Sequence, residues 1–155
     1  MQTFPVNDSG ESRTAPRARI LVVDDDSIIA GLHAAVLELE DYEVVTSDNG
    51  EDALMQLAFG EFDLVLTDRN MPVLDGANMV LALRAAGNHV PVVMVSGSHD
   101  FSPLPPEVER ELSVALSKPA RTAEMLHAVA FALKSEAAKA SARPALDARA
   151  HVCAR

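Results

Sequence analysis

The sequence predicts an α/β protein with a doubly wound sheet of five parallel strands. Short apolar runs alternate along the chain with longer segments in which apolar residues recur at helical spacing. The apolar runs are continuous, as expected for strands that helices cover on both faces. Four of the five runs end beside an acidic, hydroxyl or basic residue. Right-handed crossovers bring all these strand ends to one edge of the sheet.

The first half of the chain is predicted to contain three strands and two helices. The strands are Ile20–Val23, Glu43–Thr46 and Leu64–Thr67. Asp26 or Ser27 is predicted to cap the first helix. This helix carries an apolar stripe at helical spacing, which consists of Ile28, Ile29, Leu32, Ala35, Val36 and Leu39. The second helix follows a turn at Asn49-Gly50 and ends at Gly60. Its inward residues are predicted to be Ala53, Leu54, Leu57 and Ala58.

The second half of the chain is predicted to contain the remaining two strands. They are Pro91–Val95 and a weaker strand at Val114–Leu116. One helix runs from about Gly76 to Ala86, and the last helix runs from about Thr122 towards Ala138. The expected buried residues of these two helices are Met79, Val80 and Leu83, and then Met125, Leu126, Val129, Ala130 and Leu133.

The composition predicts one cytoplasmic domain that binds neither nucleic acid nor a membrane. A chain of 155 residues is long enough for one domain with a sizeable core. Its net charge of −10 disfavours binding to phosphate backbones, and no apolar run approaches the roughly 20 residues that span a bilayer. The single cysteine, Cys153, fits a reducing cytoplasm. We expect a flexible leader over residues 1–18, the domain over 19–138 and a flexible tail over 139–155.

Polar side chains follow four of the strands and predict one site. Asp24 and Asp25 follow the first strand, and Asp68 follows the third. Ser96 and Lys118 follow the fourth and fifth strands. Each alone has an ordinary structural interpretation, such as helix capping for the acids, but their joint arrangement favours a site. Three neighbouring carboxylates repel one another unless a cation compensates them, and Mg²⁺ prefers such oxygen ligands.

This arrangement suits phosphoryl transfer to a carboxylate. Asp68 would be both a metal ligand and a nucleophile, because attack of its oxygen on phosphorus forms an acyl phosphate. Phosphoryl transfer depends on positioning and charge neutralisation. Mg²⁺, the Lys118 ammonium and the Ser96 hydroxyl would each contact one phosphoryl oxygen.

Four motifs resemble those of the response-regulator receiver domain, the phosphoacceptor module of two-component signalling. They are ILVVDDDS, LVLTDRNMPVLDG, VPVVMVSGS and SKPA, in the order and close to the spacing of that family, over about residues 19–135. The resemblance implies a flavodoxin-like receiver fold. It also implies that a sensor histidine kinase or a histidine phosphotransfer protein phosphorylates the domain, which then slowly dephosphorylates itself.

The resemblance assigns a role to each candidate residue. Asp68 matches the phosphoacceptor, and Asp25 matches the direct Mg²⁺ ligand. Asp24 matches the acid that acts largely through water, and the backbone carbonyl of Asn70 would complete the metal site. Ser96 matches the hydroxyl position that senses the phosphoryl group, and Lys118 matches the lysine of the family.

Two departures from the family concern how the signal is read out. Ala115 stands where receivers often carry a Tyr or Phe whose rotation reports phosphorylation. Pro103, Pro105 and Pro106 forbid a regular fourth helix through its first half. The segment is therefore predicted to form a loop followed by a short helix from about Pro106 to Leu112, or a helix displaced towards the C-terminus.

These observations lead to one favoured function and two alternatives. The favoured function is a single-domain regulator that signals to a downstream protein target or passes its phosphoryl group along a phosphorelay. One alternative is a haloacid-dehalogenase-type phosphatase with Asp24 as its nucleophile, because Asp24-x-Asp26-Ser27 resembles the motif of that family. The other is a receiver-fold module that binds its partner without phosphorylation.

Overall fold

The computed structural model describes residues 15–97 and 102–142 as five strands and five helices. The strands are β1 (Arg19–Val23), β2 (Glu43–Ser47), β3 (Leu64–Asp68), β4 (Val92–Ser96) and β5 (Val114–Ser117). The helices are α1 (Ser27–Leu39), α2 (Gly50–Phe59), α3 (Gly76–Ala85), α4 (Pro106–Glu109) and α5 (Thr122–Ala142). The flexibility predicted for the leader and the tail concerns mostly residues 1–14 and 143–155, which lie outside the described residues.

All five strands are parallel and lie in the order β2-β1-β3-β4-β5, which confirms the predicted fold class. One face of the sheet packs against α1 and α5, where Leu37 and Val129 are fully buried. The other face packs against α2, α3 and α4. Since β1 and β3 are neighbours, the residues that follow them meet at the carboxyl edge of the sheet.

Four residues of the apolar stripe of α1 do not pack on the sheet. Ile28, Leu32, Ala35 and Leu39 are exposed. The residues of α1 that are fully buried are instead Ala30 and Leu37. The helix is apolar nearly all round, so that its periodicity alone could not identify the face that packs on the sheet. The Asp26 carboxylate does cap the helix, because it accepts hydrogen bonds from the backbone amides of Ile28 and Ile29.

The proline-containing segment before β5 forms only one turn of helix, α4, in agreement with the prediction of a loop and a short helix. Val108 is fully buried and anchors this turn to α3 and the sheet. In α2, Ala58 was predicted to face inward but is exposed. The last helix continues to Ala142, beyond the expected end near Ala138. Within the described residues, none of the helices is long and apolar enough to cross a membrane.

Candidate functional site

Three carboxylates meet at the carboxyl edge of the sheet. Asp24 and Asp25 follow β1, and Asp68 is the last residue of β3. Their oxygen atoms lie within 4.8 Å of one another. Asp24 is 4% exposed and Asp68 is 9% exposed, whereas Asp25 is exposed. The cluster is therefore half enclosed, with one acid facing solvent.

The third acid of the triplet, Asp26, has a different task. Its carboxylate caps α1, with a distance of 2.9 Å from the Ile28 amide nitrogen. Its own backbone amide donates a hydrogen bond to Asp24 Oδ1 at 2.9 Å. Asp26 thus orients Asp24 without joining the cluster, which leaves Asp24 and Asp25 beside Asp68.

Lys118 supplies a cation to the cluster. Its ammonium nitrogen lies 2.9 Å from Asp68 Oδ1. The same oxygen accepts a hydrogen bond from the Arg69 backbone amide at 3.0 Å. Lys118 follows β5, and its backbone amide donates to the carbonyl oxygen of Ser96 at 2.7 Å. This bond ties the end of β5 to the end of β4 and places Lys118 at the cluster.

Ser96 and Asn70 both lie near Asp68. Asn70 follows it along the chain, and Ser96 lies on the neighbouring strand of the sheet. Ser96 is the last residue of β4 and is half-buried. Its neighbour Val95 pairs with Asp68 across the sheet, so Ser96 lies at the rim of the cluster. Asn70 follows Asp68 by two residues and is exposed in the loop between β3 and α3. The strand ends thus deliver each residue of the predicted site to one edge.

The electrostatics of the cluster show an excess of negative charge. Burial raises the pKa of Asp24, and the nearby Asp68 carboxylate raises it further. Burial alone would lower the pKa of Lys118, but its hydrogen bond and attraction to Asp68, together with Asp24 and Asp25, raise it above the usual value. One ammonium therefore faces three carboxylates.

The residues of the cluster fit a hard divalent cation. Carboxylate oxygens are the ligands that Mg²⁺ prefers, and it binds few of them while keeping water. The pKa of Asp24 is raised first by its burial and then by the neighbouring carboxylates of Asp68 and Asp25. Because the oxygen atoms of Asp24, Asp25 and Asp68 already lie close together, a cation could join them without rearrangement of the backbone.

The loop after Asp68 is tightly constrained. A Cβ atom at Gly76 would overlap the backbone oxygen of Asp68, so only glycine fits at this position. The Gly76 amide donates to the Arg69 carbonyl at 2.8 Å. Val73 has a φ of 69°, and the Leu74 amide donates to the Pro72 carbonyl across it at 2.8 Å. This three-residue turn holds Val73 in a strained conformation, although its side chain is 75% exposed.

Sequence reasoning missed two neighbours of the cluster. His33 is half-buried on α1, and burial lowers its pKa, as does the Lys118 charge. No motif in the sequence marks His33 as a neighbour of Lys118. The buried Thr67 hydroxyl donates to the Asp68 backbone oxygen at 2.9 Å. Nothing in the sequence distinguished this threonine from an ordinary strand residue.

A parallel sheet with an acid cluster and a lysine at its carboxyl edge defines a class of phosphoacceptor modules, and comparison with known proteins identifies the family. The family model described as "Response regulator receiver domain" matches residues 20–130. The chain therefore belongs to the response-regulator receiver domains. This membership disfavours the alternative of a haloacid-dehalogenase-type phosphatase with Asp24 as its nucleophile.

Curated relatives contain this domain as part of longer proteins. The chain is 36% identical over 128 residues to the transcriptional regulatory protein PrrA of Mycobacterium tuberculosis, which covers 83% of this chain and 54% of PrrA. It is 46% identical over 83 residues to a protein-glutamate methylesterase/protein-glutamine glutaminase of Nocardioides, which covers 52% of this chain and 23% of that protein. The chain thus spans about half the length of PrrA and less of the methylesterase.

Solved structures show the same fold. A response regulator receiver domain protein from Clostridium thermocellum superposes with a TM-score of 0.72 and is 25% identical. The superposition covers 79% of this chain and 98% of that one. The architecture of the present sheet and its helices is thus that of a receiver domain.

Proposed function

We propose that this receiver domain accepts a phosphoryl group on Asp68 from a sensor histidine kinase or a histidine phosphotransfer protein. The observation that carries this proposal is the ion pair of 2.9 Å between Lys118 and Asp68 inside a cluster of three carboxylates. A carboxylate beside a fixed cation, in a site that attracts a further cation, is suited to attack an anionic phosphoryl group.

The reaction exchanges one bond to phosphorus for another. A carboxylate oxygen of Asp68 attacks phosphorus and forms the acyl phosphate, while the bond between phosphorus and the imidazole nitrogen of the donor breaks. The bond electrons leave with the imidazole. Lys118, which reaches Asp68 Oδ1, stabilises the charge on the transferred oxygens, and the Ser96 hydroxyl donates a hydrogen bond to one of them.

Mg²⁺ is the cation that we assign to this site. The carboxylates of Asp24, Asp25 and Asp68 and the backbone carbonyl of Asn70 would hold it, with Asp24 acting largely through water. When bound, it neutralises phosphoryl charge that Lys118 alone cannot balance. The chain itself supplies the orientation, since the Asp26 amide fixes Asp24 and the Arg69 amide fixes Asp68.

The output is proposed to be a contact with another protein. The domain would act as a cytoplasmic regulator or phosphorelay intermediate and would not itself bind nucleic acid, in keeping with the net charge of −10. Ala115 is exposed on β5 and α4 has one turn, so a rotating aromatic at position 115 cannot report phosphorylation. The signal would pass through Ser96 and the segment that follows it.

Labelling with a small phosphodonor tests the phosphoacceptor role. The protein is incubated with Mg²⁺ and radiolabelled acetyl phosphate, and we expect an acid-stable, base-labile label that does not form when EDTA is present from the start. Asp68→Asn should abolish the label, whereas Asp48→Asn, which changes an exposed acid after β2 at the same edge, should retain it. An unchanged label in Asp68→Asn would refute the proposal.

The shortened α4 and the exposed Ala115 favour one second candidate, a receiver that binds its partner without phosphorylation. Beryllofluoride, which mimics a phosphoryl group on a carboxylate, separates the two. Chemical-shift changes around Asp68 and Ser96 on titration with Mg²⁺ and beryllofluoride support the phosphoacceptor. A spectrum without such changes supports the constitutive binder.

A further inference from the structure

The turn between β2 and α2 contains none of the predicted site residues, yet it joins two parts of the site. This segment, residues 47–50, is here called the β2–α2 turn. At its start, the Ser47 carbonyl oxygen accepts a hydrogen bond from the Asp24 amide at 3.1 Å. At its end, the Gly50 amide donates to the Leu74 carbonyl oxygen at 3.2 Å. The turn therefore connects an acid of the carboxylate cluster to the loop that follows β3.

Hydrogen bonds hold the β2–α2 turn together between these two contacts. Ser47 is buried, and its hydroxyl donates to the Asn49 carbonyl oxygen at 3.2 Å. The Asn49 side chain caps α2, because its Oδ1 accepts from the Asp52 amide at 2.9 Å. Its Nδ2 donates to the carboxylate of the same residue at 3.2 Å. A displacement at one end of so short and bonded a segment is expected to reach the other end.

Gly50 leaves no room for a side chain. A Cβ atom at this position would lie 2.6 Å from the carbonyl oxygen of Leu74, whereas carbon and oxygen atoms in contact lie about 3.3–3.6 Å apart. The φ of Gly50 is not in the left-handed region, unlike that of Gly87. Glycine therefore serves here to let two backbone segments approach closely. Alanine would push the Leu74 carbonyl away by roughly 0.7 Å or more.

The loop after β3 has little freedom to absorb such a shift. The Gly76 amide donates to the Arg69 carbonyl oxygen at 2.8 Å, which closes the loop at its base. The buried Met71 and the half-buried Leu74 both pack into the core on the α2 and α3 side of the sheet. A displacement of Leu74 must then be taken up by the residues between these fixed points. They include Asn70, whose backbone carbonyl is assigned to the cation.

We propose that Gly50 is a positioning residue of the cation site, which acts by holding the loop after β3 at Leu74. Through this contact it determines where the carbonyl of Asn70 lies relative to the acids that follow β1. This inference rests on the proposed function, because it concerns the cation assigned to the carboxylate cluster. The β2–α2 turn bonds to the backbone of Asp24 at its other end, so one short segment spaces ligands that come from two strands.

Titration of the full chain with Mg²⁺ alone, followed by NMR, tests this role without a phosphodonor. Gly50→Ala should weaken Mg²⁺ binding by about tenfold, as is usual when a residue that orients a metal ligand is changed. The Mg²⁺ concentration for half-maximal labelling by acetyl phosphate should rise by a similar factor. The labelling rate at saturating Mg²⁺ should fall by less than that factor. A glycine needed only for the fold would lower the urea midpoint and leave the Mg²⁺ affinity unchanged.

Gly60 provides a matched control at the opposite end of α2. A Cβ atom there would lie 3.2 Å from the Gln56 carbonyl oxygen and 3.3 Å from the Phe62 ring, so Gly60→Ala also crowds this helix. The position is about 15 Å from Gly50 along the helix. Gly60→Ala should leave Mg²⁺ binding within about twofold of the wild type. Comparison of the two variants separates the crowding of α2 from the displacement of the loop.

Ser47→Ala tests the same turn without adding an atom. It removes the hydroxyl that bonds to the Asn49 carbonyl and should weaken Mg²⁺ binding by about threefold, in proportion to the loss of one hydrogen bond. Thr46→Ala, at the exposed residue that precedes Ser47, is its control and should bind Mg²⁺ as the wild type does.

The inference is overturned if a folded Gly50→Ala binds Mg²⁺ as tightly as the wild type, or if Gly60→Ala weakens binding to the same degree. If Gly50→Ala does not fold, Ser47→Ala decides in the same way. A wild-type chain that binds no Mg²⁺ also overturns it. The phosphoacceptor role fails separately, if Asp68→Asn keeps its label from acetyl phosphate.

Discussion

Replacing Asp24 by asparagine should make the metal-free protein more stable, although Asp24 belongs to the proposed site. The burial of Asp24, at 4% exposure, disfavours its charge, and Asp68 and Asp25 raise its pKa further. Two carboxylates whose oxygen atoms lie within 4.8 Å of each other repel by about 3.5 kcal/mol or more at an effective dielectric constant of about 20. Lys118 offsets part of the repulsion on Asp24, which leaves a net gain of about 2 kcal/mol for Asp24→Asn.

The direction of the pKa shift of Asp24 determines how the effect of Asp24→Asn on stability depends on pH. The folded state holds the Asp24 proton more firmly than the unfolded chain, in which the pKa of this carboxyl is near its ordinary value of 3.8. The unfolded state therefore binds fewer protons above that pH, and Asp24 lowers stability as the pH rises through this range. At neutral pH the penalty is fully present, and below the unfolded pKa it vanishes. Asp24→Asn should thus stabilise the protein at pH 7.5 and have little effect near pH 3.5.

Urea unfolding in EDTA measures the difference. A higher midpoint at an unchanged slope reports greater stability rather than a change in compactness. Asp48→Asn, at an exposed acid, should leave the midpoint unchanged. Adding Mg²⁺ should stabilise the wild type more than Asp24→Asn, because ligand binding to the folded state adds stability that grows with occupancy. An Asp24→Asn protein that is less stable than the wild type at pH 7.5 in EDTA would refute the reasoning.

Three further substitutions test the constraints around the site. Val73→Gly should stabilise the protein by about 0.5–1 kcal/mol in urea unfolding, because it removes the backbone strain of an exposed valine with positive φ and loses little packing. An equal or lower unfolding midpoint would contradict the claim that Val73 is strained. Because the pKa of His33 is lowered in the folded protein, the unfolded chain binds more protons between pH 7.5 and 5.5. The wild type should therefore lose stability as the pH falls over this range, and His33→Gln should remove that loss. Parallel curves of stability against pH for the two proteins would contradict this. Gly76→Ala should destabilise the protein by about 2 kcal/mol or more and slow labelling by acetyl phosphate, because its methyl group overlaps the Asp68 backbone. A circular-dichroism melting curve that matches the wild type would show that the loop accommodates the methyl group.

The residues of the site could be predicted because the geometry of a parallel sheet leaves little freedom. Once β1 and β3 are adjacent strands covered on both faces, Asp24 and Asp68 must meet at their carboxyl ends. The same reasoning places Ser96 and Lys118 at that edge. It does not decide which two of the three successive acids face Asp68. The cap that Asp26 forms on α1 decides this, and it is a local hydrogen bond that Ser27 could equally have supplied in the sequence.

The face of α1 could not be predicted because both of its faces are apolar. Periodicity identifies a buried face only where the opposite face is polar, and Leu32 and Leu37 are indistinguishable by hydrophobicity. The small Ala30, which was not assigned to the core, is 4% exposed and packs in the core between α1 and the sheet. The positive φ of Val73 could not be predicted either, because valine strongly disfavours this backbone conformation. Both features lie on exposed surface, where packing in the core does not determine the choice of residue.

The charge balance of the site links its occupancy by a cation to its chemistry. Three carboxylates face one ammonium, so a phosphoryl group that approaches Asp68 meets a net negative cluster. A divalent cation held by these acids would neutralise the cluster and offset the repulsion that adds to the effect of burial on the pKa of Asp24. The same acids therefore destabilise the empty site and strengthen cation binding. Asp24→Asn should therefore raise the stability of the protein and lower its metal affinity at the same time. Replacing an acid that serves only the fold would instead lower the stability.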